Sequence, residues 1–157
     1  MATLTHADIA RIAEHTRLGT RRFVVEDGLD EEEAQAYESR RPLYRGYFRR
    51  GPIRLSLASR AGACVFLDRV QGCVLPSDVR PTACQLYPFE QWADGSWSVA
   101  VGRFGNLPEA REAGGACLAV EEAEAMEGVL ATFGRTREEV EALGAQLAAE
   151  ARAHGLK

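Results

Sequence analysis

Four cysteines, Cys64, Cys73, Cys84 and Cys117, are the side chains of this 157-residue chain best suited to chemistry, and there are no others of their kind. Cysteines of this number act as small buried hydrophobes, as disulfide partners or as metal ligands. A reducing compartment disfavours disulfides. Placement argues against plain core packing. Cys64 follows Ala-Gly-Ala, Cys73 follows Gln-Gly, Cys84 follows Arg-Pro-Thr-Ala and Cys117 follows Gly-Gly-Ala. Glycine-flanked loops bring backbone N–H groups close to sulfur and stabilise thiolate charge. Four thiolates complete the shell of a closed tetrahedral zinc site or of a [4Fe-4S] cluster. No Cys-x-x-Cys pair is present, so spacing alone leaves packing and metal binding both open.

Other chemistries find less support. His6, His15 and His154 lie far apart in sequence and suggest no cluster. His154 falls where a helix dipole favours a cation. No phosphate loop, dinucleotide fingerprint or paired-carboxylate motif stands out, and no base is placed to activate a cysteine nucleophile. No catalytic residue is therefore assigned.

The elements that must carry these cysteines can be read from pattern. Thr5 with Asp8 marks a helix start, and Ile9, Ile12 and Ala13 continue it to a stop at Leu18-Gly19. The helix-turn-helix likeness of Asp8 to Thr20 is better read as an amphipathic packing helix. A second helix is expected from Asp30 to Ser39. Pro42, Gly46, Gly51 and Pro52 then break the chain into turns. Ile53, Leu55 and Leu57 alternate as a half-buried strand does. Phe89 to Trp92 and Trp97 to Val101 flank Asp94-Gly95 as a hairpin. Two amphipathic helices follow, one marked by Met126, Val129, Leu130 and Phe133. The other is marked by Val140, Leu143 and Leu147, with Thr136 and Glu139 as its capping box and Gly155 as its end. The expectation is an α+β fold with helices at both ends of a small irregular β region, stapled by a four-cysteine metal site. A helical part spans 1–50, a cysteine-bearing β core 51–118 and a second helical part 119–157, all in one domain.

Composition narrows the setting. Hydrophobic residues make up 46% of the chain, as in ordinary globular domains. No apolar run approaches the roughly 18 residues of a membrane span, and no signal peptide is evident, so a cytoplasmic location without membrane partners is expected. The net charge is −4. Glu26 to Glu33 is strongly acidic, and Arg40, Arg41, Arg45, Arg49, Arg50, Arg54 and Arg60 follow almost at once. Such blocks are expected to pair within the fold. Arginines interleaved with Tyr44, Tyr47 and Phe48 would suit phosphate contact and base stacking, but the net acidity makes nucleic acid the weaker partner reading.

The motif Cys64-Val-Phe-Leu-Asp, Gly72-Cys73-Val, Arg80-Pro81-Thr82-Ala83-Cys84 and Tyr87-Pro88-Phe89 resembles the YkgJ-type cysteine-cluster family, a group of zinc- or iron-chelating domains. The resemblance implies that Cys64, Cys73 and Cys84 are ligands, with Cys117 as the cysteine further downstream. Members usually carry another cysteine cluster near the N-terminus; this chain has no cysteine before Cys64, which implies a start further upstream or a reduced variant. Ligands scattered over separate loops place an iron–sulfur cluster slightly ahead of zinc, since each thiolate of a cubane binds a different iron. Arg60, Arg69, Arg80 and Arg103 are candidates to offset the anionic centre. The functions to weigh are a metal-binding module, an accessory or maturation enzyme working with a protein partner, and a zinc-scaffolded nucleic-acid-contacting domain using Arg40 to Arg60.

Overall fold

A computed structural model describes residues 2–68, 70–99 and 126–157. Helix α1, His6–Thr16, begins at a reciprocal capping box: the Thr5 hydroxyl accepts the Asp8 N–H, and the Asp8 carboxylate accepts the Thr5 N–H. It ends two residues before the expected glycine, at Arg17, which takes the left-handed conformation (φ 58°) and donates its N–H to Ala13 O. A short 3-10 turn, Thr20–Arg22, leads into β1, Val24–Gly28. Helix α2, Glu31–Arg40, carries a second capping box between Asp30 and Glu33. The acids there are thus first-turn residues, where the helix dipole favours them.

Strand β2, Ile53–Leu57, pairs antiparallel with β1, from Val24 opposite Leu57 to Gly28 opposite Ile53. The N-terminal segment lies along the other edge of β2, with a bridge from Thr3 to Ser56. Leu4 N–H donates to Leu55 O at 2.8 Å, and Leu57 N–H to Ala2 O at 3.0 Å.

Three smaller ribbons follow. Strands β3, Ser59–Arg60, and β4, Ala63–Cys64, turn through Ala61 and Gly62, both at positive φ. Strands β5, Leu67–Asp68, and β6, Gly72–Cys73, enclose a turn in which the Asp68 carboxylate accepts the Val70 and Gln71 N–H groups at 2.8 Å. After helix α3, Thr82–Leu86, strands β7, Phe89–Gln91, and β8, Trp97–Val99, form the hairpin expected from Asp94-Gly95. All four ladders among the described residues have two strands.

Helix α4, Met126–Thr132, precedes α5, Arg137–His154, whose start is the Thr136/Glu139 capping box. The fold is α+β with helices toward both ends. The stretch that carries Cys117 lies outside the described residues. No described helix is long and apolar enough to cross a membrane.

Two apolar clusters organise these elements. One gathers Tyr44, Tyr47, Leu86, Phe89, Val129 and Leu147 between α5 and the hairpin. The other gathers Leu4, Ile12, Phe23, Leu57, Phe66 and Leu75 beneath the small ribbons. The aromatics of the arginine stretch belong to the first cluster: Tyr44 and Tyr47 are buried, so they cannot stack on bases. The expected pairing of acidic and basic blocks is also narrower than the charge pattern implies. Within Arg40 to Arg60, among the described residues, the ion pair is Arg54 Nη2 to Asp27 at 3.1 Å. Glu38 instead accepts the Gly46 and Phe48 N–H groups at 3.1 and 3.0 Å, holding the turns that follow α2.

Candidate metal centre

Each of the three described cysteines rides on a different small element. Cys64 ends β4, Cys73 ends β6, and Cys84 sits in the single turn of α3. All three are half-buried against the second apolar cluster, the one containing Phe66, Leu75 and Val79. Local hydrogen bonds explain how they come together. The Arg80 guanidinium donates from Nε to Leu75 O at 3.0 Å and from Nη2 to Cys73 O at 3.5 Å. It therefore ties the chain after Cys73 to the chain before Cys84, and Arg80 is a built-in part of this region rather than a loose surface charge.

The position of α3 is set from below by a buried polar hub. Asp8 is fully buried, and its Oδ1 accepts the Thr82 N–H at 2.8 Å and an Arg11 Nη2 proton at 2.6 Å. Its Oδ2 accepts the Thr5 N–H at 2.9 Å and the Thr5 hydroxyl at 3.0 Å. The Thr82 hydroxyl donates to Glu150 on α5 at 2.9 Å, and Arg11 also reaches Glu150 at 3.5 Å. One carboxylate thereby links α1, α3 and, through Glu150, α5. Burial raises the Asp8 pKa, opposed by the Thr5 and Thr82 N–H groups and by Arg11. The capping role of Asp8 was legible in sequence. Its bond to Thr82, 74 residues away, was not.

The electrostatics of Cys84 report on its neighbours. Burial, joined by the Cys64 and Cys73 sulfurs and by Asp8, pushes its thiol up to about 12, with Arg80 opposing the shift. Cys64 and Cys73 therefore lie close enough to Cys84 to oppose its ionisation. Among the described residues, however, no group of three or more His, Cys, Asp or Glu side chains is arranged to hold a metal ion. The expected four-cysteine staple is thus not shown among these residues. Cys64, Cys73 and Cys84 sit on separate elements packed into apolar surroundings, and Cys117 lies outside the described residues.

Cys64 also borders an open cleft of about 490 Å³, with Arg22, Arg60 and Phe66 among its walls. Arg60 borders the same cleft as Cys64. Arg69 and Arg103 fall outside the described residues.

The histidines depart from the sequence reading. His6 and His154, 148 positions apart, stack with ring centres 4.0 Å apart, and Tyr47 stacks on His154 at 4.0 Å, nearly parallel. His6 N–H donates to His154 Nδ1 at 3.2 Å. Burial lowers the His154 pKa to about 4, helped by His6, so it is held neutral rather than as the dipole-stabilised cation expected at a helix end. No signal within either helix announces this pairing.

No family model, curated protein or solved structure matches this chain.

Proposed function

We propose that this protein is a metal-binding module in which Cys64, Cys73, Cys84 and Cys117 supply thiolate ligands to one centre, an iron–sulfur cluster ahead of zinc. The observation that carries the reading is that Cys64 and Cys73, on two separate elements, both make the ionisation of Cys84 on a third element harder, and all three pack against one apolar cluster. A bound cation would offset the charge that Cys64 and Cys73 set against the Cys84 thiolate. The donor set fits the group: soft sulfur ligands suit zinc and iron–sulfur clusters. The Cys64 to Phe89 motif, with its resemblance to the YkgJ-type family, supports the same ligands. Ligands from separate elements, with no Cys-x-x-Cys pair, favour a cluster over a zinc knuckle.

When bound, a cluster would supply one-electron redox chemistry, whereas zinc would supply a structural cross-link. The chain's own residues contribute position and charge. Arg80 favours the Cys84 thiolate and fixes the intervening loop. Asp8 holds the first residue of α3 through the Thr82 N–H. Elemental analysis and a visible absorption spectrum of protein purified without oxygen test the proposal. The expected result is about four irons with matching sulfide, or about one zinc, per chain. Folded protein that contains no metal and takes none up on reconstitution would overturn it.

A further inference from the structure

Arginines Arg40 and Arg41, at the end of α2, face a different part of the molecule. With Arg54 of β2 they border an open cleft of about 590 Å³, whose lining also includes Tyr37 and, from the hairpin, Glu90 and Trp92. Trp92 is 53% exposed, an unusual state for the side chain that gains most from burial. The guanidinium carbons of Arg41 and Arg54 lie 5.1 and 5.6 Å from the centre of the Tyr37 ring. That ring is itself fixed by a 2.6 Å hydrogen bond between its hydroxyl and Thr3 Oγ1. Two cations are thus held beside one rigid aromatic ring.

These cations are incompletely matched. Arg54 pairs with Asp27 through Nη2, but its buried Nε has no acceptor among the described residues. Arg40 donates Nε to Ala36 O, and neither Arg40 nor Arg41 has a carboxylate partner among those residues. Three arginines bordering one cleft call for an anion with several oxygens, which phosphate groups present in the geometry that arginine forks recognise. An exposed indole in the same lining calls for a flat aromatic group. Glu90 offers an acceptor for a hydroxyl or amine between the two. A long polyanion is poorly served, because Glu31, Glu32 and Glu33 begin the same helix about 14 Å from Arg40.

We propose that the cleft between the end of α2 and the β7–β8 hairpin binds a nucleoside phosphate, with Arg40, Arg41 and Arg54 on the phosphates and Trp92 stacked on the base. Cys64, Cys73 and Cys84 do not line this cleft, and the proposal stands whether or not they hold metal.

Isothermal titration calorimetry of the full chain with ADP, adenosine and pyrophosphate tests it. ADP should bind saturably, with adenosine and pyrophosphate each weaker by about tenfold or more, since each keeps only half of the recognition. Trp92→Ala and Arg41→Gln should each weaken ADP by about fivefold or more while leaving the melting temperature unchanged. Arg40→Gln, on the exposed helix surface, provides the charge test should Arg41→Gln fail to fold. Absence of saturable ADP binding at millimolar concentration would overturn the proposal. So would variants that bind ADP as the parent does, or pyrophosphate that binds as tightly as ADP. Binding of a ten-nucleotide oligothymidylate tenfold more tightly than ADP would assign the cleft to single-stranded nucleic acid and also overturn it.

Discussion

Acidification should loosen the junction where His6, Tyr47 and His154 stack. In the folded protein His154 titrates at about 4 instead of 6.5, because burial penalises its charged form and His6 lies against it. Its Nδ1 must also stay unprotonated to accept the His6 N–H. The unfolded chain therefore binds this proton first as the pH falls. Stability from the group is complete above about pH 6.5, drains away as the pH drops toward 4, and changes little below that. The displacement corresponds to about 2 kcal/mol lost between roughly pH 7.5 and 5, or about 1.5 kcal/mol once solvent screening at the ring edge is allowed for. His6 is also lowered, by burial and then by Lys157, and acts in the same direction. Glu26 and Arg50 border the same recess. Asp8, raised by its own burial, acts in the opposite sense at lower pH, so the useful quantity is the difference between parent and variant. Urea unfolding of the parent and of His154→Phe at both pH values supplies it. The variant should be weaker at pH 7.5 by about 1 kcal/mol for the lost acceptor, yet lose about 1.5 kcal/mol less than the parent on acidification. Equal losses in the two proteins would refute the reasoning.

The other expectations can be checked on the same footing. Asp8→Ala removes a helix cap and leaves the buried Thr82 N–H without its acceptor, so chemical denaturation should show about 3 kcal/mol less stability. Gly155→Ala would place a methyl group 1.9 Å from Gly46 O, a backbone atom that cannot swing aside, and should cost about 2 kcal/mol in the same assay. Cys84→Ser should reduce metal content to near zero on elemental analysis, because it removes a soft ligand while keeping its size.

Local devices were the legible part of the fold. Thr5 with Asp8 and Thr136 with Glu139 announce helix starts because capping needs only residues three positions apart. The Asp94-Gly95 turn is similarly self-contained: Asp94 accepts the Ser96 N–H at 2.9 Å and Gly95 supplies the positive φ. The end of α1 was misplaced because Arg17 adopts a conformation that glycine usually takes. What sequence could not supply were encounters between distant segments. His6 meets His154, Asp8 meets Thr82, and Arg40 and Arg41 share a cleft with Trp92, yet no residue announces its partner. The cysteines fall between these cases. Their turns were readable one at a time, and their shared apolar bed appears only once β4, β6 and α3 are packed together.

The Asp8 hub also bears on the order in which the molecule assembles. Its donors and neighbours come from residues 5–11, from Thr82 and from Glu150, so closing it requires segments more than 70 and about 140 positions apart to meet. Contacts of such long sequence separation form only after large chain loops have closed, and such closures tend to come late. Asp8→Ala should therefore leave the refolding rate nearly unchanged while accelerating unfolding. The carboxylate would then serve as a latch on the finished structure rather than as part of its nucleus, setting how long the α3 turn and its cysteine stay in place once they are home.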